Sequence, residues 1–419
     1  MSSSPAKVLR ILTRLNIGGP AIHALLLSTK LDPQRFPTCL VVGEPDATEG
    51  EVTELVQGDQ EGEGEPGSNL LKLIRVKTLC RHIRPLADVR SLICLLRIVW
   101  KERPQLIHTH MAKAGALGRL AGILYNRCGP GRTTGKRAVL IHTFHGHVLD
   151  EYFSPWLAQL FVRIERWLAR RTDCLIAVSQ TIQRELCDKG IGRQDQWQVV
   201  PVGVDLSALA QLPIPNGSSP VRFGLVGRLV PIKNPSLFLK AFHRMRHQQS
   251  TDPSYGVIVG DGPLRDTVAR QVRELGLERV VRLTGWQRDL HSVYGGLEVA
   301  CLTSWNEGTP VALIEAMAAS RAVVATRVGG VRDLLETGAS PSTPIPWGEF
   351  RMTDRGVLVS PGDVEGLAKA MARLGQDAAL RRRLGEAARA YVVGRYSQER
   401  LLKDVTALYE ELLGAGASP

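Results

Sequence analysis

The sequence predicts an α/β protein of two domains, and three observations carry that prediction. The chain has 419 residues, too long for one ordinary hydrophobic core. Short apolar runs rich in strand formers alternate with amphipathic stretches of helical period. A run rich in proline, glycine and serine at 211–220 separates two halves that repeat one strand–helix plan. Hydrophobic residues make up 44% and charged residues 22% of the chain, the balance of a soluble globular protein. A net charge of +12 points to an acidic partner: nucleic acid, a nucleotide substrate or an anionic membrane. The seven cysteines are scattered and form no C-x-x-C, which fits a reducing compartment without disulfides or a zinc site. With no apolar signal core and no run of membrane-spanning length, the expectation is a cytoplasmic protein with at most peripheral membrane contact.

In the first half, residues 8–12 read as a strand closed by Asn16-Ile17-Gly18-Gly19-Pro20, with an amphipathic helix over 21–31. Strand, glycine turn and helix together can bring backbone N–H groups to a phosphate. There is no G-x-G-x-x-G, so a dinucleotide site is disfavoured. A second strand at 38–42 precedes an acidic, glycine-rich stretch at 43–69 that reads as a solvated loop. Residues 70–104 invert the charge, with nine basic residues against Asp88 and Glu102. Leu86, Val89, Ile93, Leu96 and Val99 recur there near helical spacing. Two readings fit: a core-facing helix with a solvated basic face, or a helix that docks on anionic lipid headgroups. A strand at 105–110 ends in His108-Thr109-His110, and one at 139–144 runs into His145-Gly146-His147. These strand ends are where open α/β sheets place ligand contacts. Metal is one option for the histidines, but without carboxylate or cysteine ligands beside them, hydrogen bonding to a polar substrate is favoured. A helix with Arg163, Arg166, Arg170 and Arg171 adds to the basic surface, and a strand follows at 174–179.

The second half begins with a strand at 221–226 and the turn Gly227-Arg228, with Lys233 five residues on. Arg228 as a fork and Lys233 as a point charge can converge on one anion. Strands at 255–259 and 280–284 bracket the turn Gly260-Asp261-Gly262-Pro263. The decisive stretch is 304–315. A short apolar strand precedes it, and a helix starts at about Pro310, whose missing N–H costs nothing in a first turn. The free N–H groups of Gly308, Thr309 and Val311 then make an anion site at the positive end of the helix. Glu307 in the loop and Glu315 in the helix flank that site. Carboxylates there repel phosphate unless they bind hydroxyls, as a sugar on one side and a ribose on the other would supply. The last segment, 397–413, reads as an amphipathic helix that packs back on the rest.

The ordered set Gly18-Gly19, His145-Gly146, Gly227-Arg228 with Lys233, Gly260-Asp261-Gly262-Pro263, and Glu307 with Glu315 resembles the retaining glycosyltransferase family 4. The stretches around His110-Met111-Ala112-Lys113 and Thr143-Phe144-His145 are similar to bacterial members that build surface polysaccharides. The resemblance covers nearly the whole chain. It implies the GT-B fold, two Rossmann-like, doubly wound α/β domains facing across a cleft. The expected division is an acceptor domain over 1–205, a linker over 206–220, a donor domain over 221–395, and a C-terminal helix over 396–419 packing back across the interface. Position by position it implies that Arg228 and Lys233 grip the donor diphosphate and that Glu315 binds the ribose. Glu307 would hold hydroxyls of the transferred sugar, His145 would lie beside that sugar, and Gly19 would offer its N–H on the phosphate side. Gly18, His110, Gly260, Asp261, Gly308, Thr309, Pro310 and Val311 complete the expected substrate contacts. Where many members carry a second glycine and a later proline, this chain has Thr309-Pro310-Val311-Ala312, which bears on the choice of sugar.

A departing diphosphate needs its charge stabilised, and the chain has no Asp-x-Asp pair to hold a metal for that purpose. Arg228, Lys233 and the helix start at Pro310 can supply fixed charge and dipoles instead. No clear nucleophilic carboxylate presents itself, so same-face substitution through an oxocarbenium-like state is expected, with no cofactor and no metal. The expected partners are a nucleotide-sugar donor, UDP-linked by preference, a glycan or lipid-linked acceptor and, on the lipid-docking reading of the basic helix, an anionic membrane surface, but not nucleic acid. A nucleotide-sugar epimerase of the same fold, a non-catalytic nucleotide-sugar-binding protein and a nicotinamide oxidoreductase are the alternatives.

Overall fold

A computed structural model describes residues 5–15, 19–44, 71–80, 82–146, 155–217, 220–248, 254–336 and 343–415. The acidic stretch, apart from Gly43 and Glu44, lies outside the described residues, as do Gly18, Arg81 and His147. The chain divides into two compact units, Met1–Gly203 with Glu399–Pro419, and Val204–Gln398.

The first unit is built on seven parallel strands: β1 (Val8–Leu12), β2 (Thr38–Val42), β3 (Lys72–Arg75), β4 (Leu106–His110), β5 (Val139–Phe144), β6 (Cys174–Ala177) and β7 (Trp197–Val199). Their order across the sheet is 3-2-1-4-5-6-7. Helices cover a parallel sheet on both faces, so its central strands are buried throughout; β1, β4 and β6 have no exposed position. Right-handed crossovers decide the face of each helix. The connections β3–β4, β4–β5 and β5–β6 run in one direction, which places α2 (Pro85–Glu102), α3 (Ala112–Cys128) and α4 (Pro155–Ala169) side by side on one face. Helix α1 (Gly19–Lys30) follows the opposite direction of travel and covers the other face. The C-terminal helix Gln398–Ala415 joins it there: Leu401, Val405, Leu408 and Tyr409 are buried with Val8, Leu27, Leu31 and Leu106.

The second unit repeats the plan with β8 (Val221–Val226), β9 (Ser254–Val259), β10 (Val281–Gly285), β11 (Val299–Leu302), β12 (Ala322–Thr326), β13 (Phe350–Met352) and β14 (Val357–Val359). The order is 10-9-8-11-12-14-13. All pairs are parallel except the edge strand β13, which runs antiparallel to β14. Of the stretch expected as a linker, 206–220, residues 206–213 are fastened to this unit. Leu206, Leu209 and Leu212 are buried, Arg321 Nη2 donates to Pro213 O at 2.7 Å, and Arg389 donates to Leu212 O. Val204 N bonds Tyr396 O at 2.8 Å, and Gln398 N bonds Val204 O at 3.1 Å, so the two passages of the chain between units lie side by side at this edge.

In each sheet the strand order reverses at one place, between β1 and β4 and between β8 and β11. Neighbouring loops part there, and the strand C-termini leave a crevice open to ligands. Both candidate sites lie at these points. The C-terminal helix is part of the first unit's core, so Leu401→Ala should cost about 2–5 kcal/mol, read as a lower urea midpoint for the unfolding of that unit.

Candidate functional site

In the second unit the loops after β8 and β11 are stitched together. Trp305 N donates to Ile232 O at 2.8 Å, and Thr303 Oγ1 donates to Lys233 O at 2.9 Å. This brings two residues singled out from sequence into contact: Lys233 Nζ lies 2.6 Å from Glu307 Oε1. Ser304 Oγ donates to the same oxygen at 2.6 Å. Arg228 lies on the same loop as Lys233 and is partly exposed. The turn after β9 abuts this loop, with Leu229 N bonded to Asp261 O at 2.8 Å. Gly260 has φ 133°, and a Cβ there would stand 2.0 Å from Gly227 O, so no other residue fits. The Asp261 carboxylate is turned to its own turn: Oδ1 accepts from Gly262 N at 2.7 Å and Oδ2 pairs with Arg265. Its visible work is to hold the glycine turn in shape.

The acidic loop leads into helix α5 (Val311–Ala318), with Pro310 as its N-cap. Gly308, Thr309 and Val311 are partly exposed around that helix start, and Thr309 Oγ1 is buried with no hydrogen-bond partner. Behind the loop, Gly330 N donates to Glu307 O at 3.1 Å, and a Cβ at Gly330 would stand 1.8 Å from Gly308 O. Glu315 is partly buried on α5, and its Oε2 lies 2.8 Å from Tyr294 Oη, which also lies 3.0 Å from Ala312 O. One phenolic proton cannot serve both acceptors, so a protonated Glu315 satisfies the pair best, donating to Oη while Tyr294 donates to Ala312 O. The surroundings agree: burial pushes the Glu315 carboxyl up to about 7, against an opposing pull from the Tyr294 hydrogen bond.

At the first unit's reversal point four imidazoles gather. His110 ends β4, His145 follows β5, His23 lies one turn into α1, and His108 stands below His110 in the same strand. Gly19 is the first residue of α1. His110 Nδ1 lies 3.1 Å from His145 Nε2, and the His23 ring meets that of His145 edge-on at 5.0 Å. Burial lowers the pKa of all four, that of His145 to about 3, so the rings are neutral. His142 is separate, its Nδ1 2.8 Å from Thr109 Oγ1. Met111, after His110, has φ 65° without being glycine, a strained position at the mouth of the cluster.

Arg10 organises the cluster. It is fully buried in the middle of β1, and no carboxylate pairs with it among the described residues. Its Nε donates to Ser28 Oγ at 3.0 Å, and its Nη1 to His108 Nδ1 at 3.0 Å and His110 Nε2 at 3.4 Å. A guanidinium can only donate, so both of those ring nitrogens are unprotonated. The protons then sit on the far side of each ring. His108 Nε2–H donates to Thr143 Oγ1 at 2.7 Å, and Tyr409 Oη, 2.6 Å from His108 Nδ1, donates to that ring as well. His110 Nδ1–H donates to His145 Nε2, which leaves His145 with its proton on Nδ1. The chain of bonds therefore ends in one neutral donor at the strand end. Ligand atoms of His23, His110 and His145 lie within 4.8 Å of one another, a grouping that three imidazoles can use around a metal. Arg10 opposes that use, because a dication beside a buried guanidinium without a carboxylate adds to an uncompensated charge. A phosphate oxygen or sugar hydroxyl suits the cluster better.

Residues 18–203 match the sequence profile of a "Glycosyl transferase 4-like domain", and residues 220–377 that of "Glycosyl transferases group 1". The chain belongs to glycosyltransferase family 4. Its relatives include the UDP-Gal:alpha-D-GlcNAc-diphosphoundecaprenol alpha-1,3-galactosyltransferase of Escherichia coli, 28% identical over 73% of this chain and 75% of that one. The lipopolysaccharide core biosynthesis glycosyltransferase LpsE of Rhizobium meliloti (strain 1021) is 28% identical over 59% of this chain and 65% of its own. Among solved structures, Anabaena HepE in complex with UDP and glucose superposes with a TM-score of 0.73 at 18% identity, covering 97% of this chain and 100% of that one. The last likeness bears on the fold, which is GT-B: two Rossmann-like units in one chain.

The structure of this family 4 glycosyltransferase adds residues that the sequence reading did not single out. His23 carried a faint signal, four residues after Gly19 on one helix face. Arg10 is a lone cation inside an apolar strand, a pattern that asks for a partner but does not name it. Tyr294 and Tyr409 carried none, since each acts from a separate element, while Ser304 opens the 304–315 stretch and acts on Glu307 within it. The hydrogen-bond chain makes a direct prediction. In long-range proton–nitrogen NMR spectra His145 should be neutral with its proton on Nδ1 from about pH 5 to 8. An Nε2–H tautomer would show that Arg10 does not direct the cluster.

Proposed function

We propose that the chain transfers a hexose or N-acetylhexosamine from a UDP-linked donor, with retention, to a glycan or lipid-linked acceptor in polysaccharide or glycoconjugate assembly. The observation that carries this is the meeting of Lys233 with Glu307 beside the start of α5, with Arg228 on the same loop. Cation, carboxylate and helix N-terminus at one place suit a ligand that is part diphosphate and part polyol. The E. coli relative, named for a UDP-galactose donor and a diphosphoundecaprenol acceptor, supports the donor and acceptor classes. HepE, crystallised with UDP and glucose, shares the fold that would hold them.

In this mechanism Arg228, Lys233 and the N–H groups around Pro310 stabilise the diphosphate as the sugar bond lengthens. Fixed charge does this without a metal ion. Glu307 keeps one oxygen on Lys233 and Ser304 and directs hydroxyls of the sugar, while Glu315 accepts the ribose hydroxyls. The His145 Nδ1–H offers a hydrogen bond to a substrate hydroxyl or phosphate, and a neutral ring pinned in one tautomer holds that donor without a proton to lose. The acceptor hydroxyl enters on the face the diphosphate leaves and passes its proton to the departing phosphate oxygen as the new bond to carbon forms, and retention follows. The test is transfer from a panel of UDP-sugars to undecaprenyl-diphosphate-linked sugars in the presence of EDTA. Product with unchanged anomeric configuration is expected; an absolute requirement for added magnesium would remove the fixed-charge mechanism.

Two further outcomes follow from the geometry. Lys233→Ala should lower kcat/KM by about 30- to 1000-fold, as the loss of a charge-assisted phosphate contact in the transition state. Glu307→Ala frees Lys233 from its pair, so UDP should bind as well as before or better while turnover falls by about 100-fold or more. Calorimetry with UDP beside steady-state rates separates the two residues; weaker UDP binding in Glu307→Ala would reverse their roles.

Glu315 gives a pH dependence whose sign is fixed. Only its ionised form accepts two ribose hydroxyls, and burial raises its pKa to about 7 in the free protein. Affinity for a UDP-sugar, whose diphosphate does not titrate near neutrality, should be flat above about pH 8 and fall toward tenfold per unit below about pH 6. Glu315→Gln should bind more weakly and with no slope across that range. The same slope in the variant would assign the titration to another group.

A further inference from the structure

Helices α2 and α4 of the first unit keep large apolar side chains in contact with solvent. On α2 these are Leu86, 81% exposed, Val89, 57% exposed, Ile93 and Trp100, which share one stripe at helical spacing. On α4 they are Trp156, 68% exposed, Leu160, Ile164 and Trp167. Both helices pack against α3 and flank it on the same face of the sheet. The stripes therefore belong to one side of the unit.

The charges around the stripes are sorted by sign. Arg84, Arg90, Arg97 and Lys101 are exposed along α2, and Arg163 and Arg166 along α4. Every carboxylate of the two helices is turned inward and paired. Asp88 lies 2.6 Å from Lys113, Glu102 lies 2.6 Å from Lys72 and 2.7 Å from Lys7, and Glu165 lies 2.6 Å from Arg119. Among the described residues of these two helices, the charges that face out beside the apolar stripes are cations.

We propose that this side of the first unit docks on an anionic lipid bilayer. Trp100, Trp156 and the aliphatic stripe enter the headgroup region, and the arginines bond lipid phosphates. The chemistry selects this occupant over the others. A second copy on a two-fold axis would set arginine against arginine. A folded protein partner would need a groove or knob to fit, whereas two convex helices with tryptophan at their ends suit a soft, flat surface with an apolar interior. No described helix is long and apolar enough to cross a membrane, so the contact is a surface one. The proposal does not depend on the catalytic reading, because it concerns binding alone.

The experiment is flotation of the full chain with phosphatidylcholine vesicles, with and without phosphatidylglycerol. Binding is expected with the anionic vesicles only. Trp156→Ser with Leu86→Ser should lower it by roughly tenfold or more while thermal unfolding stays unchanged. Arg90→Glu with Arg97→Glu should lower it as well, and doxyl-labelled lipid should quench tryptophan fluorescence in the native chain but less in Trp156→Ser. Equal recovery with neutral and anionic vesicles overturns the proposal. So does anionic binding that the apolar substitutions leave untouched, since the stripe would then have no part in it. A stable dimer by light scattering that Trp156→Ser dissociates, with no vesicle binding, would give the face to a second copy.

Discussion

A parallel sheet covered on both faces admits few polar residues, and that constraint sets where chemistry can occur in this protein. Inside β1, β4 and β5 the tolerated polar groups are Arg10, His108, Thr109, His110, His142 and Thr143, and each named ring or guanidinium is hydrogen-bonded to another of them or to a covering helix. They cluster toward one end because the sheet order reverses there and the covering layer opens. The second unit obeys the same rule with different residues. Its strands are apolar almost throughout, and Arg228, Lys233, Glu307 and the start of α5 stand in the loops at its own reversal. One topology used twice gives one site of fixed charge and one of neutral donors.

The two sites solve opposite electrostatic problems. At Lys233 and Glu307 the charges are opposite and close, so the pair carries little net charge and the carboxylate holds the ammonium in place. At Arg10 a cation lies fully buried with neutral rings and a serine as partners. Isolating a charge in that way is costly, and hydrogen bonds from the guanidinium to ring nitrogens recover only part of the cost. The remainder is a standing preference for a negative or strongly polar ligand near the cluster, and the guanidinium adds to burial in keeping His23, His108 and His110 neutral. Burial does the same for His145, so four neutral rings stand together in a chain of positive net charge.

Much of this was legible in the sequence, and the limits were physical. The Glu307–Glu315 stretch was readable because a strand, a glycine and a proline-led helix fix the geometry within a dozen residues. That Arg228 and Lys233 share one loop was readable for the same reason, but not the Lys233–Glu307 contact, which joins loops 74 residues apart. Tyr294 and Tyr409 act on Glu315 and His108 from other elements, 21 and 301 residues away, and nothing local marks them. Residues 206–220 have a linker's composition, yet 206–213 fold onto the second unit, since buried leucines and two arginine-to-carbonyl bonds outweigh the breakers. Helix α2 shows a subtler limit. Its periodicity was plain, but the helix bears two apolar stripes, and spacing cannot say which one faces the core. Leu95 and Val99 are buried, and Leu86, Val89 and Ile93, which one reading took for the core face, are exposed.

That second stripe changes what the positive charge means. A basic helix with a buried apolar face is an ordinary soluble helix, its cations serving solubility. On α2 and α4 the cations border uncovered apolar side chains, and the acids that would balance them are spent on Lys7, Lys72, Lys113 and Arg119 within the unit. Each inward pair keeps a carboxylate off the outer face, where it would repel an anionic surface. Inward pairing and outward cations are thus one arrangement. It costs little in water, where exposed arginines are well solvated, and its benefit appears only against a surface that is both acidic and apolar. An acceptor carried on a lipid would be met at just such a surface, and docking there would bring the enzyme to its substrate.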